Sequence, residues 1–372
     1  MITLFGATGY TGRLIARVLA RRQLPFRLAG RSPEKLARLS ESLPERPAWQ
    51  AADAMRPETL GALCRETRLL VNCVGPFTDL GERVAAQAAL TGVRYLDTTN
   101  ELGYVYRLRS YEALARRSGA ALVPACGFEV ALADCAAAVL GRSLQPAPGK
   151  DGDSPARLDE IHVTYALQGR GTSLATRRSA IRALATSWIG YAGGQWVGAA
   201  PGSRTRRVLL PGGPRTALSF PSSEIVTVPS HLSVGAVTTW MTISRLGVWW
   251  APALLPLGAR LAGGPAGALI LALVSRVALP PESGLRSEAP FTLHVEASRN
   301  GARQALTLAG HGVYDLTAEI VAYAAEQMLK PAYDRAGVLA PAAALDPQAL
   351  LDEAQARWQI SIQRDSEAAP QP

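Results

Sequence analysis

The sequence predicts an α/β protein. Its N-terminal part reads as a doubly wound parallel sheet, and its middle part as a second, mixed α/β domain containing an antiparallel sheet. Three observations predict this. Up to about residue 125, short continuous apolar runs alternate with helical patterns. Beyond a Pro-, Gly- and Asp-rich stretch at 145–157 the periodicity switches to alternation. Three glycines, Gly6, Gly9 and Gly12, follow the first apolar run at three-residue spacing.

The apolar runs are 2–5, 26–29, 69–74, 93–96 and 120–124, with a weaker one near Trp49. Runs that are apolar without alternation suit strands buried on both faces. Between them Leu14, Val18 and Leu19, then Leu36 and Leu39, then Leu60 and Leu63 recur at helical spacing. Ser32 and Pro33 supply an N-cap and a first helical residue for the second helix. Strands alternating with helices predict a parallel sheet covered on both sides.

The domain boundaries follow from composition. Residues 1–150 form the first domain, and the stretch "QPAPGKDGDSPAR" marks its end. In 157–315, Ile161, Val163, Tyr165 and Leu167 share one face at period two. Phe291, Leu293 and Val295 do the same, and Asn300-Gly301 supplies the positive φ of a tight hairpin. Residues 316–364 read as a C-terminal helical segment packing back, with Ile320, Val321, Ala324 and Met328 on one helix face. The Pro/Ala/Glu tail 365–372 reads as disordered.

The glycines carry the first functional signal. After a strand, the first glycine permits a tight turn, the second lets a pyrophosphate approach, and the third lets helix and strand pack closely. That is a Rossmann-type arrangement, although G-x-x-G-x-x-G is looser than G-x-G-x-x-G. Gly6, Thr8, Gly9, Tyr10, Thr11 and Gly12 are therefore the candidate phosphate cradle. The second strand ends in "LAGRSPEKL", where such a domain meets the adenosine ribose. A carboxylate there would repel a 2′-phosphate, whereas Arg31, followed by Ser32, can pair with one. NADP(H) is the predicted cofactor. Asp53 ends the third strand, near the expected adenine. Gly75 and Pro76 in "VNCVGPF" turn sharply at a strand's carboxyl end. Asn72 has two roles open to it, ribose contact or turn cap.

Composition narrows the class. The chain has 372 residues, 48% of them hydrophobic, enough for two domains with buried cores. The net charge of +9 comes almost wholly from arginine, since Lys35, Lys150 and Lys330 are the only lysines. No basic block with interleaved aromatics occurs, so nucleic acid is not an expected partner. Cys64, Cys73, Cys126 and Cys135 form no Cys-x-x-Cys pair, which predicts no metal site and reduced thiols. With an apolar strand starting at residue 2, no signal peptide is expected and the predicted location is cytoplasmic.

The stretch 246–279 is the greasiest. Arg260 divides it into runs shorter than the ~20 residues of a spanning helix, and Pro252, Pro256 and Pro265 interrupt it. A buried helical pair, a homodimer interface, a peripheral membrane contact through Trp249 and Trp250, and a lipid-tail tunnel stay open.

Taken together, "GATGYTGRL", "LAGRSPEKL", "VNCVGPF", "YLDTTNE", "ACGFE" and the late "GHGVYDLTAE" with "GVLAPAAAL" resemble the saccharopine dehydrogenase-like NADP-binding family. More narrowly, they resemble the trans-acting enoyl reductase branch. The resemblance implies a Rossmann domain, a mixed α/β second domain, NADPH as donor, and reduction of a carbon–carbon double bond on a lipid or polyketide intermediate. The wider family implies carbon–nitrogen reduction as the alternative, and a non-catalytic NADP-binding, membrane-associated scaffold is a third reading. Two departures fall where substrate is expected: Glu129 replaces the family's Asp, with no Pro after it, and Arg170 intrudes before Gly171.

The chemistry needs a hydride aimed at an electrophilic carbon and a group to polarise or protonate the acceptor. The Tyr-x-x-x-Lys pair of short-chain dehydrogenases is absent. Strand ends offer Asp97, Thr98, Asn100 and Glu101, or Cys126, Gly127 and Glu129. Gly171, Thr172 and Ser173 offer a helix N-terminus. Tyr165, His162 and His311 complete the acids; Tyr165, Glu129 and Thr172 are the catalytic candidates carried forward.

Overall fold

The computed structural model describes residues 1–144, 157–167, 189–243 and 290–367. The chain divides into two compact units, 1–131 with 313–345, and 132–312 with 346–372.

The first unit is built on seven parallel strands. They are β1 Ile2–Phe5, β2 Phe26–Gly30, β3 Trp49–Ala51, β4 Leu69–Asn72, β5 Arg94–Asp97, β6 Ala121–Val123 and β15 Gly337–Val338. Their order is β15-β6-β5-β4-β1-β2-β3, so β1 lies between β2 and β4 where the winding reverses. Such a switch point leaves a crevice at the carboxyl ends of the strands. All four residues of β1 and of β4 are buried, including the polar Thr3 and Asn72, as in strands covered on both faces. The interposed helices are α1 Tyr10–Arg21, α2 Pro33–Glu41, α3 Pro57–Cys64, α4 Phe77–Thr91, α5 Leu102–Leu108 and α6 Glu112–Ser118. In α1, Ile15, Ala16, Val18 and Leu19 face inward. Each large apolar side chain buried this way contributes about 1.5–3 kcal/mol.

The Val313–Leu329 helix packs alongside α1 in this unit. Arg22 reaches Glu319 at 2.7 Å and Glu326 at 3.1 Å, and the Tyr314 ring meets Tyr10 edge-on at 5.0 Å. Further along, Arg94 donates to the carbonyls of Met328 and Tyr333. The expected C-terminal segment 316–364 is therefore not one piece. Its part up to residue 345 belongs to the first unit, because Gly337 and Val338 pair with Ala121 and Leu122.

The second unit carries a mixed sheet. Its strands are β7 Leu158–Leu167, β8 Ile189–Ala192, β9 Gln195–Gly198, β10 Thr205–Leu210, β11 Gly213–Ser219, β12 Val234–Thr242, β13 Pro290–Arg299, β14 Ala302–His311 and β16 Ser361–Glu367. The path is β10-β11-β12-β7-β13-β14-β16, with β8 and β9 branching from β12. Only the β12–β7 pair is parallel among these described strands. Asn300 (φ 49) and Gly301 (φ 83) close β13 onto β14 with Arg299 opposite Ala302, the predicted two-residue turn. Val163 faces Val295 and Tyr165 faces Leu293, so Ile161, Val163 and Tyr165 line one buried face as predicted, whereas Leu167 at the strand end is exposed. Residues 365–367, expected in a disordered tail, continue β16 against β14. The helix α7, Phe128–Leu144, begins in the first unit and ends in the second, which moves the boundary from residue 150 to 131. The 246–279 stretch lies outside the described residues. No helix among the described residues is long and apolar enough to cross a membrane.

Candidate cofactor site

The site begins where β1 ends. Gly6 turns the chain with φ +82, and its amide and that of Ala7 donate to the Ala29 carbonyl at 2.9 and 3.1 Å. The Gly9 amide then donates back to the Gly6 carbonyl at 3.0 Å. Gly9 is the N-cap of α1; it is exposed and offers no capping side chain, and the first turn of α1 has no acidic residue. Among the described residues a Cβ on Gly9 would meet only the Gly6 oxygen, at 3.3 Å, so none of them fills the space outside the turn. A twelve-residue helix starting without a carboxylate presents a partial positive charge there. Thr8, Tyr10 and Thr11 frame the opening, and Arg13 donates to the Thr8 carbonyl at 2.8 Å. This cradle fits a pyrophosphate.

Arg31 lies one residue beyond β2 and is exposed. Ser32 beside it accepts from the Lys35 amide and caps α2. The Thr8 hydroxyl lies 3.9 Å from where a Gly30 Cβ would stand, so the glycine turn and the Arg31 corner are neighbours. Asp53 bends into a local turn, its Oδ1 accepting from the Met55 amide at 2.9 Å. Asn72 is buried; its Oδ1 accepts from Val74 at 3.0 Å and its Nδ2 donates to the Tyr95 hydroxyl at 2.9 Å. Of the two roles open for Asn72, this geometry carries the turn cap. Gly75 is exposed, and Pro76, joined to it by a cis peptide, is the N-cap of α4.

The strand-end candidates separate. Asp97 is fully buried. Its Oδ1 accepts from the Ala125 and Thr99 amides, and its Oδ2 from the hydroxyls of Tyr104 and Tyr95. Burial pushes its carboxyl up to about 6, and these four donors pull the other way. Glu101 is also buried and accepts from the Phe77 and Thr78 amides, capping α4 from a distance. Burial, then the nearby Asp97 carboxylate, pushes the Cys73 thiol up to about 12, so it is no thiolate nucleophile. Glu129 sits in the first turn of α7, partly buried, and loss of solvent pushes its carboxyl up to about 7. Its Oε2 lies 3.4 Å from where a Gly127 Cβ would stand, and the Thr98 carbonyl 3.5 Å from the same point.

Tyr165 belongs to the second unit. Its hydroxyl donates to the carboxylate of Glu224, a buried acid the sequence reading passed over, and lies 3.3 Å from the Ser222 Oγ. The Ser-Ser-Glu run before Ile225 and Val226 was the available signal, as a short helix start. His162 pairs with Glu160 at 3.0 Å, and burial lowers its imidazole, as does Arg206. His311 is exposed at the end of β14. Gly171, Thr172 and Ser173 lie outside the described residues. Among the described residues no group of three His, Cys, Asp or Glu is placed to hold a metal ion.

Known proteins are similar to the chain in sequence chiefly over its N-terminal part. Residues 2–123 match the family model "Saccharopine dehydrogenase NADP binding domain". A probable mitochondrial saccharopine dehydrogenase-like oxidoreductase of Arabidopsis thaliana is 35% identical over 143 residues, covering 34% of this chain and 32% of that protein. The trans-acting enoyl reductase of Mycobacterium ulcerans is 37% identical over 134 residues, again 34% and 32%. The matched segment thus spans about a third of these relatives' length. Apo saccharopine dehydrogenase (L-Glu forming) from Saccharomyces cerevisiae superposes over 99% of both chains with a TM-score of 0.64 at 11% identity, which shows a shared fold. Residues 2–123 are thus similar to the NADP-binding domain of saccharopine dehydrogenase.

Proposed function

We propose that the chain is an NADPH-dependent oxidoreductase that reduces a carbon–carbon double bond of a lipid- or polyketide-type intermediate. The observation that carries the reading is the open Gly9 cradle with Arg31 at the adjoining strand end. The choice of a double bond follows the names of relatives such as the mycobacterial trans-acting enoyl reductases.

When bound, the dinucleotide supplies a hydride. The chain's own residues bind its phosphates at the start of α1, meet a 2′-phosphate with Arg31, and hold the strand-end turns that border the crevice. Of Tyr165 and Glu129, the catalytic candidates among the described residues, Glu129 is the one in the same unit as the cradle. A carboxyl lifted close to neutral pH is suited to hand a proton to the carbon next to the one receiving hydride.

The test is NADPH oxidation by the full chain with a panel of α,β-unsaturated acyl thioesters. Turnover with the thioesters and none with the saturated analogues is expected. Turnover only with a keto acid plus amine would replace the reading with carbon–nitrogen reduction. NADPH binding without oxidation of any substrate would favour the scaffold.

A further inference from the structure

The turn after β4 is held on both flanks by buried side chains, and both holds lead to one carboxylate. On the incoming side Asn72 accepts from the Val74 amide and donates to Tyr95, which donates to Asp97 Oδ2 at 2.9 Å. On the outgoing side Glu101 Oε1 accepts from the Phe77 amide at 2.9 Å. Its Oε2 accepts from the Thr78 amide at 2.7 Å and from the Thr78 hydroxyl. The Glu101 amide donates to Thr99 Oγ1 at 3.0 Å, and the Thr99 amide donates to Asp97 Oδ1 at 3.1 Å. Asn72, Asp97, Thr99 and Glu101 are each at most 2% exposed.

Burying two carboxylates to hold four residues is a costly way to stabilise a domain; apolar groups of the same volume would do as well. What the network adds is position. The turn touches the glycine loop, because a Cβ on Gly6 would lie 2.9 Å from the Cys73 carbonyl carbon and 3.0 Å from Val74 Cγ2. A small displacement of the turn therefore displaces the base of the cradle.

A second effect is electrostatic. Of the helices that start at the carboxyl edge of the sheet, α1 and α4 follow the neighbouring strands β1 and β4. The start of α1 has no acidic residue and no side-chain cap, whereas the start of α4 carries Asp79 in its first turn and receives the Glu101 carboxylate. One positive helix end is left for an anion and the other is neutralised.

We propose that Glu101 is a positioning residue for dinucleotide binding, acting with Asn72. It fixes the Cys73–Pro76 turn against the glycine loop, and together with Asp79 it neutralises the start of α4, leaving the start of α1 for the phosphates. This inference rests on the NADPH reading above.

The experiment compares Glu101→Gln and Asn72→Ala with a control in a different buried network, Thr67→Val. Thr67 bonds Thr3 at 2.7 Å and Arg27 at 3.0 Å before β4 begins. Gln keeps one acceptor oxygen but turns an N–H toward a second N–H. Amide hydrogen exchange at Val74, Phe77 and Thr78 and the NADPH dissociation constant are read for each, below its thermal transition. In Glu101→Gln, exchange at Phe77 and Thr78 should quicken, and NADPH binding weaken, by about tenfold each. Asn72→Ala should do the same with exchange changed at Val74, while Thr67→Val leaves both readouts at wild-type values. Glu101→Gln tracking Thr67→Val in either readout overturns the proposal. Wild-type protein that binds no NADPH overturns the cofactor reading instead, and the exchange pattern still decides whether Glu101 holds the turn.

Discussion

A Cβ on residue 12 would stand 2.3 Å from the carbonyl oxygen of Gly6, so Gly12 and Gly6 meet backbone against backbone. No rotamer change relieves such a contact, because the obstruction is main chain. Gly12→Ala should cost about 1–3 kcal/mol or more, the range for overpacking, and abolish NADPH binding by shifting the cradle. Calorimetry and a cofactor titration check both. Unchanged stability would mean that helix and strand approach less closely than described.

Arg31 is an exposed cation at the corner where a 2′-phosphate is expected. Arg31→Ala should weaken NADPH binding about tenfold or more, from loss of a charge-assisted bond, and leave NADH nearly unchanged. Paired titrations with both dinucleotides distinguish this from general damage. Equal loss for both would remove Arg31 from the phosphate site.

Asp97 gives a pH signature. Its folded carboxyl is raised from 3.8 to about 6, so between these values the native state holds more protons than the unfolded chain. Its contribution to stability is therefore fully present at low pH and falls, by up to about 3 kcal/mol, as pH rises through that window. Asp97→Asn removes this titration. The stability advantage of wild type over the variant should be largest near about pH 4 and decline toward about pH 7 in urea unfolding. A difference constant across that range would refute the raised value.

Glu129 tests the proton donor. With its carboxyl at about 7, the protonated form is lost as pH rises past neutrality, and turnover should fall with it. Glu129→Gln should lower kcat by about 10²-fold or more and remove that basic limb. A variant profile overlaying wild type would eliminate Glu129 as the acid.

The parallel sheet was legible because β1, β2 and β4 are mostly apolar without alternation, as strands covered on both faces require. The β13–β14 hairpin was legible from Asn300-Gly301 and its flanking alternation. The same logic was available for Gly193 and Gly194 between β8 and β9, which the reading did not use. Two kinds of feature were not legible. β15 is two residues long, and β16 carries the polar text "SIQRDSE", so neither has a periodicity to detect. Partnerships such as Glu101 with Phe77, or Tyr165 with Glu224, join residues far apart in the chain. Local spacing singled out Glu101 but not Glu224, and neither donor is named before the chain folds.

The first unit is closed by the Val313–Leu329 helix and by β15, which are encoded after nearly the whole of the second unit. On the ribosome, at about 5–20 residues per second, residue 345 emerges some 10–40 seconds after residue 131. For that interval the flank of α1 and the edge of β6 wait without their covering pieces. A fragment cut at residue 131 would preserve this exposed intermediate permanently, so biochemical dissection of the nucleotide-binding half requires grafting 313–345 back onto it.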